Sequence, residues 1–428
     1  MEAVAAVFDT GTHHGAIHAE TYLHGLLTQL PAKNMERMAE ALPAANQQKL
    51  QQFLSDSPWA HQKLWAWVAR RAQAHLGGQP HSMLLLDESA QTKKGDRSAG
   101  VARQYSGRQG KVDNCQVGVF AALALGTRAT LVGGRLYLPE AWVSDPGRCA
   151  KAGIPAAEIQ PRTKIDLAKE LVTEALANGL IFPNVGVDCG YGRDQTFLNW
   201  IEDQGLGFVA DVPTDLRVWE QGPAATTRPK NLGKAGARAV GKVAADWRAA
   251  GPGELVTLRV GENGPVRVRI WARRVWVWAE GAAAPRDRWL VVRQDGRQEL
   301  KHTLLNAPTN TSVQELAILQ GGRHFVERTF GDAKSHVGMG DYQVRKWLGW
   351  QHHMALVGLA MLFVLEERLL AAAAQPLLSV RDVVELMHYY FVAHPDLATL
   401  QAVMTQRHRR RERGKEAAIK QAERLEIT

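Results

Sequence analysis

Two aspartates in the sequence share a local pattern that suits metal-dependent chemistry. Asp87 follows the apolar run of LLLDES (84–89), and Asp188 follows that of VGVDCG (185–190). Each run predicts a short buried strand, and we expect each strand to end at its acid, so that rigid backbone holds the carboxylate at a sheet edge. Taken alone, each aspartate is more often an ordinary strand-end residue than a metal ligand.

A third acid with suitable neighbours lies in GGRHFVERTFGDAK (321–334). If residues 323–334 form one helix, Arg323, Glu327 and Lys334 lie on one face, within roughly 60° of one another. A face with one acidic and two basic side chains can bind a metal ion and a phosphate together. An Arg–Glu pair at this spacing is more commonly part of a row of ion pairs on the surface of a helix. Three such carboxylates would complete a site for two divalent cations, the arrangement used in phosphodiester chemistry.

The elements that must position these acids begin with a helical N-terminal region. Residues 17 to about 76 carry apolar residues at helical spacing, with Ser57-Pro58 as the predicted cap and first turn of the helix HQKLWAWVARRAQ. Gly77-Gly78 then marks a domain boundary.

A mixed α/β sheet is predicted from residue 82 onward. Three apolar strands come first, and a helix–strand–helix–strand alternation follows, which is typical of βαβ units. The predicted strands are 82–87, 114–125, 129–139, 184–188 and 208–212, and the predicted helices are 166–179 and 194–205.

An antiparallel β-insert is predicted between about 214 and 305, after a Gly-, Ala-, Pro- and Lys-rich flexible loop at 221–241. In VRVRIWARR, strand alternation places Arg267, Arg269, Trp271 and Arg273 on one face and two apolar residues on the other. Such a face can grip phosphate and stack a base, or it can simply be solvated with the tryptophan covering the core.

Composition points to a polyanionic partner. Lysine and arginine number 52 against 43 aspartates and glutamates, which gives a net charge of +9. The three cysteines are widely spaced, and the N-terminus lacks a signal-peptide pattern, so we expect a soluble cytoplasmic protein. The apolar run 354–365 is too short to span a bilayer and predicts a buried helix.

Several other features carry weaker signals. His13-His14 and His352-His353 lack further ligands at metal spacing and are interpreted as loop and core-helix residues. Lys93 and Lys94 either neutralise phosphate near Asp87 or only solubilise a loop. The arginine-rich stretch 407–413 is a candidate clamp on the DNA backbone, or an exposed basic helix.

Three blocks together resemble bacterial insertion-sequence transposases of the DDE superfamily. LLLDESAQTKKG followed by GVARQYSGRQGKVDNCQVGVF resembles the first-aspartate block, VGVDCGYG the second, and RHFVERTFGDAKSHVG the glutamate block. The resemblance implies a ribonuclease H-like core interrupted by a β-insert. Its implied catalytic and metal-binding triad is Asp87, Asp188 and Glu327, holding two Mg²⁺ ions with Mn²⁺ as a substitute.

One branch of this superfamily carries a Tyr-x2-Arg-x3-Glu-x6-Lys signature. Arg323, Glu327 and Lys334 match it, whereas Gln320 stands at the tyrosine position, which puts that tyrosine's contact with the element end in doubt. Related enzymes that form DNA hairpins hold a flipped base on a tryptophan of the insert. Trp271 is the first candidate for that role here, and Trp276 the second.

The resemblance divides the chain into a helical DNA-binding domain (1–78), two parts of the core (79–213 and 307–372), the β-insert (214–306) and a basic helical region (373–428). It implies a transposase that cuts element ends in double-stranded DNA and joins them to a target, working as a homodimer in the nucleoid. Two alternatives stay open: a nuclease of the same fold without strand transfer, and a domesticated descendant that binds DNA without catalysis.

Overall fold

The computed structural model describes residues 2–392, except for 11–12, 107–109, 223–229, 233–234, 262–263, 297–299 and 376–377. The arginine-rich stretch 407–413 and most of the predicted C-terminal region therefore lie outside the described residues. Within them, the chain forms a mixed α/β structure in which helices surround one large sheet.

The N-terminal region is helical, as predicted. Its helices are α1 (Ala5–Phe8), α2 (Ala16–Leu26), α3 (Met35–Ala41), α4 (Gln47–Ser55) and α5 (His61–Leu76), and the short strands β1 (Asp9–Thr10) and β2 (His13–His14) pair between the first two. The side chains of Asn34 and Asn46 cap α3 and α4 by accepting backbone N–H groups. The predicted Ser57-Pro58 cap is wrong, because α5 begins after Ala60, four residues beyond Asp56.

The core of the sheet confirms the ribonuclease H-like prediction. It contains β3 (Met83–Thr92), β4 (Ala102–Ser106), β5 (Lys111–Leu125), β6 (Arg128–Leu136), β7 (Asn184–Val187) and β8 (Gly207–Asp211). Strands β3, β5 and β6 pair antiparallel, whereas β7 and β8 run parallel to β3, in the order β6-β5-β3-β7-β8. The connecting helices are α6 (Glu140–Val143), α7 (Pro146–Lys151), α8 (Lys164–Ala177), α9 (Cys189–Gly192) and α10 (Gln195–Asp203).

The β-insert continues this same sheet. It contains β9 (Arg217–Val218), β10 (Arg238–Ala239), α11 (Val240–Ala250), β11 (Glu254–Gly261), β12 (Gly264–Val277), β13 (Arg286–Gln294) and β14 (Leu300–Leu305). Strand β14 pairs antiparallel with β8, so the four long insert strands and the core form one ten-stranded sheet. The helix α11 was not predicted, since its sequence follows directly on the Gly- and Ala-rich stretch interpreted as a loop.

After the insert, the described residues form the helices α12 (Val313–Arg323), α13 (Phe325–His336), α14 (Trp347–Leu370) and α15 (Val380–Phe391). Most of α14 is buried, because β6 and the helices α2, α4 and α5 pack around it in one continuous hydrophobic core. His352 lies between the carbonyl oxygens of Leu54 and Trp59, and His353 contacts the Tyr22 hydroxyl, so both are core residues as predicted. Among the described helices, none is long and apolar enough to cross a membrane.

The contact between α14 and α5 gives a direct test of this packing. A Cβ atom added at Gly358 would lie 2.3 Å from the Trp65 ring, whereas one at Gly331 of α13 would meet nothing within 4 Å. We expect Gly358→Ala to lower the free energy of unfolding by about 1–3 kcal/mol through overpacking. The matched change Gly331→Ala should raise it by up to about 1 kcal/mol, because alanine favours helix.

Chemical denaturation of both variants and the wild type measures these differences. A Gly358→Ala protein as stable as Gly331→Ala would show that α5 does not pack against α14 in this way.

Candidate active site

The row of aspartates at the carboxyl ends of the parallel strands is the centre of the site. Leu86 of β3 pairs with Val187 of β7, and Val187 pairs with Ala210 of β8. The next residue on each strand is an aspartate. These in-register residues, on strands about 4.8 Å apart, are Asp87, Asp188 and Asp211.

The predicted position of Asp87 at a strand end is wrong in one respect. Strand β3 continues to Thr92, because β5 pairs with it along its whole length. It is the pairing with β7 that stops, at Leu86. The Asp87 backbone is therefore held by pairing with β5 on one side. On the other side, its pairing with β7 has already ended, so the sheet is open there.

Backbone N–H groups hold the Asp188 carboxylate. Asp188 caps the short helix α9, and its Oδ1 accepts hydrogen bonds from the backbone of Gly190 at 2.9 Å and Tyr191 at 3.2 Å. Gly192 closes this turn against β8, where a Cβ atom would lie 2.0 Å from the Asp211 carbonyl oxygen. Only glycine allows this approach, so the CGYG sequence brings Asp188 beside Asp211.

Burial and charge act strongly on Asp87. Burial and, to a smaller extent, the nearby Asp188 charge raise the pKa of its carboxyl, which reaches about 7. The Glu88 backbone N–H donates to Asp87 Oδ1 at 2.6 Å and opposes this shift, as does the charge of Arg323. In the absence of a bound cation, the Asp87 carboxyl therefore keeps its proton close to neutral pH.

Arg323 connects the row of aspartates to Glu327. Its Nη1 donates to Glu327 Oε1 and lies 3.0 Å from both that atom and Asp211 Oδ2. The predicted single helix over 323–334 is interrupted, since α12 ends at Arg323 and α13 begins at Phe325. The contact between Arg323 and Glu327 nevertheless forms. The hydrogen bond with His324 and the charge of Arg323 lower the pKa of Glu327 to about 2.

Asp211 is a site residue that the sequence analysis did not single out. Its Oδ1 accepts a hydrogen bond from Thr303 Oγ1 at 2.7 Å, and Thr303 Oγ1 accepts one from Gln320 Nε2 at 2.7 Å. Gln320, the departure from the tyrosine signature, is thus a buried link in a network that ends at Arg323. The available signal was FVADV (208–212), which has the same apolar run before an acid as LLLDES and VGVDCG.

The donor set suits a hard divalent cation. Asp87, Asp188 and Glu327 offer carboxylate oxygens, the ligands that Mg²⁺ and Mn²⁺ prefer. Across the part of the chain that the structure describes, no three His, Cys, Asp or Glu side chains are grouped closely enough to hold an ion. In this arrangement the Arg323 guanidinium pairs with both Glu327 and Asp211.

The predicted DNA-contacting lysines have different environments. Lys94 is exposed, whereas the Lys93 ammonium donates to the Tyr342 carbonyl oxygen at 3.1 Å and lies 3.4 Å from the centre of that ring. Burial lowers the pKa of Lys93 to about 8. Lys334 lies on α13 two turns beyond Glu327, with its ammonium 5.8 Å from the Phe330 ring centre.

The predicted basic face of the insert is present on β12. Arg267, Arg269 and Arg273 are exposed, while Val268 and Ile270 on the opposite face are buried.

The two candidate tryptophans of the insert differ in access. Trp271 is only 8% exposed, because the segment from Gly251 to Gly253 covers its ring and Trp271 Nε1 donates to the Gly251 carbonyl oxygen. Its ring is closed to a base in this conformation. Trp276 is half-buried beside Trp219 and Trp278, which ranks it ahead of Trp271 for a stacking role.

The raised pKa of Asp87 predicts how stability depends on pH. The Asp87 carboxyl keeps its proton up to about pH 7 in the folded protein, whereas its ordinary pKa is 3.8. Tighter proton binding by the folded state stabilises it in acid, and this contribution to the free energy of unfolding is lost as pH rises through 7. Without added metal, Asp87→Asn should therefore become more stable relative to the wild type between about pH 4 and pH 8, by at most about 4 kcal/mol.

Urea unfolding across this pH range measures the difference. The matched control is Asp203→Asn, which changes an exposed carboxylate paired with Arg286 and should follow the wild-type pH profile. An Asp87→Asn profile parallel to that of the wild type would contradict the assignment.

Comparison with known proteins identifies the family of the chain. A family model described as DDE superfamily endonuclease matches residues 5–276, which include Asp87 and Asp188. The probable transposase for insertion sequence element IS701 from Microchaete diplosiphon is 29% identical over 199 residues, which are 46% of this chain and 49% of that protein. The chain therefore spans about half the length of this relative. Because the family model covers well over half of the sequence, the chain belongs to the DDE superfamily endonucleases.

Proposed function

We propose that the protein is a transposase that cuts double-stranded DNA at the ends of a mobile element and joins the freed ends to target DNA. The observation that carries this proposal is the in-register placement of Asp87 and Asp188, each directly after the last residue at which β3 and β7 pair. The similarity to the IS701 transposase supports it, and so does the net charge of +9, which favours a polyanionic partner.

In this proposal, Asp87 and Asp188 hold divalent cations and Glu327 completes the ligand set. When bound there, two Mg²⁺ ions supply charge stabilisation for in-line displacement at phosphorus. Asp87 must release its proton to bind a cation, and a neighbouring positive charge favours that release. Glu327 is already ionised, because its contacts with His324 and Arg323 stabilise the charged carboxylate.

Arg323 has a positioning role before the cations arrive. Its guanidinium holds the Glu327 carboxylate and is itself held by Asp211, so Glu327 stays beside the row of aspartates. The attacking group is first water, which breaks the P–O3′ bond and leaves a 3′-hydroxyl on one fragment and a 5′-phosphate on the other. That 3′-hydroxyl then attacks a phosphate of the target and displaces the 3′-oxygen of the target strand, which leaves as a 3′-hydroxyl. No covalent bond to the protein is required in either displacement.

The DNA would extend over the basic face of the insert. Arg267, Arg269 and Arg273 on β12 would contact phosphates, with Lys94 and Lys334 nearer the core. Trp276 is the candidate for stacking against a displaced base. Bringing two element ends together requires two copies of the active site, so we propose a homodimer in the DNA complex.

Substitution of the triad tests this proposal. Asp87→Asn, Asp188→Asn and Glu327→Gln should each reduce Mg²⁺-dependent cleavage of DNA carrying the flanking inverted repeats by at least about 1,000-fold, because each removes charge stabilisation of about 4 kcal/mol. Asp203→Asn changes an exposed carboxylate and should cleave as fast as the wild type.

The products on labelled oligonucleotides separate the alternatives. Cleavage followed by joining to a second duplex supports a transposase. Cleavage without joining supports a nuclease of the same fold, and specific binding without cleavage supports a domesticated descendant. Equal cleavage by the wild type and Glu327→Gln would show that the assigned site is wrong.

A further inference from the structure

The face of the insert sheet opposite Arg269 carries a second group of cations. Paired residues on neighbouring antiparallel strands point to the same face of a sheet. Ile270 of β12 pairs with Arg293 of β13, and Arg293 pairs with Lys301 of β14. Ile270 and Arg293 are buried, and Lys301 is half-buried. Arg293 and Lys301 therefore lie on the inner face of the insert, on the side away from the exposed Arg269.

The inner face is also the side of the sheet that carries the active-site network. Lys301 and Thr303 are two residues apart on β14, so their side chains point the same way and lie roughly 7 Å apart along the strand. The Thr303 hydroxyl donates to Asp211 and accepts from Gln320. Lys301 is therefore on the side of the sheet where Asp211 contacts Arg323.

A cavity of about 350 Å³ opens on this inner face, between the insert and the break that separates α12 from α13. We call it the Lys301 cavity. Its lining includes Arg259, Arg293 and Lys301 from the insert, and His324 and Phe325 from the segment at the helix break. His324 Nδ1 lies 3.5 Å from Glu327 Oε2, so a single side chain separates the cavity from a predicted metal ligand.

Positive charge in the Lys301 cavity exceeds negative charge. Asp295 is the one acidic residue among the described residues that line it, and Arg293 Nε lies 2.9 Å from Asp295 Oδ1, so these two charges offset each other. The Arg259 guanidinium lies 5.2 Å from the Phe325 ring centre. Within the described ranges, neither Arg259 nor Lys301 forms an ion pair. Two such cations at a partly closed cavity attract an anion.

The position of the cavity suits a phosphate group of a bound DNA strand. Arg267, which the proposed path of the DNA already includes, also lines the cavity, so that path is continuous with it. The separation of roughly 7 Å between Lys301 and Thr303 corresponds to about two nucleotides at a rise of about 3.4 Å each. Asp188 lies one strand spacing of about 4.8 Å beyond Asp211, which adds about one nucleotide.

We propose that the Lys301 cavity binds one backbone phosphate of the DNA strand that is cut at Asp87 and Asp188. Lys301 and Arg259 contact the oxygens of this phosphate. Held about two or three nucleotides from the cut, the phosphate prevents the strand from sliding and so places the scissile phosphate at the carboxylates. Lys301 is thus a positioning residue. The inference rests on the proposed function, since it needs DNA at the aspartates.

Methylphosphonate substitution, which removes the charge of a single phosphate, tests the contact directly. Duplexes that carry the flanking inverted repeat are made with one methylphosphonate at successive positions around the cleavage site, and their binding is measured without Mg²⁺. Lys301→Ala should weaken binding of the unmodified duplex about 10-fold, as expected from loss of one hydrogen bond to a charged group. It should cause no further loss on the duplex whose methylphosphonate is at the contacted position.

Two matched variants serve as controls. Lys301→Arg keeps the positive charge and should bind the unmodified duplex within about 3-fold of the wild type. Lys151→Ala changes an exposed lysine on α7, outside the cavity lining, and should bind it as the wild type does.

Salt dependence separates a phosphate contact from misfolding. Each phosphate contact adds about 0.9 to the slope of log binding constant against log salt concentration, so Lys301→Ala and Arg259→Ala should each reduce the slope by about that amount. A fall in the fraction of folded protein would lower the binding constant and leave the slope unchanged. An unchanged slope, or equal weakening by Lys301→Ala on every modified duplex, would overturn the inference.

Further measurements identify the source of the phosphate. If inorganic phosphate or ATP binds without DNA in a Lys301-dependent manner, and no methylphosphonate position is coupled to Lys301, the cavity holds a free anion and the proposed strand contact is wrong. Triad-dependent cleavage by the wild type without such coupling would leave the proposed function in place and remove the cavity from it. Loss of triad-dependent cleavage itself would instead remove the proposed function.

Discussion

The balance of charge around Arg323 is the interaction on which the rest of the site depends. Arg323 is only 6% exposed, and its guanidinium contacts Asp211 and Glu327 and lies near Asp87 and Asp188. Acids this close would repel one another strongly in a partly buried site without a cation. Arg323 supplies part of that positive charge, and it opposes the burial and the Asp188 charge that together raise the pKa of Asp87. A site in this condition favours the binding of further cations.

The β-insert takes part in this balance rather than standing apart from it. Strand β14 pairs with β8 and places Thr303 opposite Asp211, where the threonine hydroxyl donates to the carboxylate. Gln320 of α12 donates to the same hydroxyl, so the insert, the core strand and the helix that ends at Arg323 meet at one network. The register of β14 on β8 therefore controls where Arg323 lies, and with it Glu327.

The sequence was informative where a local pattern decides the structure. An apolar run before an acid located Asp87 and Asp188, and strand alternation separated the arginines of β12 from Val268 and Ile270. The sequence did not predict features that depend on contacts with residues far away in the chain. The extension of β3 to Thr92 depends on β5, and the burial of Trp271 depends on the segment that covers it. The break between α12 and α13 at His324 was not predicted. Asp211 carried the same local signal as the other two aspartates, yet only the register of three strands shows that it joins them.

Anomalous scattering from Mn²⁺ in crystals of the protein bound to an element end tests the central claim most directly. The account predicts a manganese peak between the Asp87 and Asp188 carboxylates, with Glu327 moved from Arg323 towards the metal and Arg323 still paired with Asp211. A metal bound elsewhere while DNA occupies the sheet edge, or a Glu327 that remains paired with Arg323 beside a filled site, would contradict it.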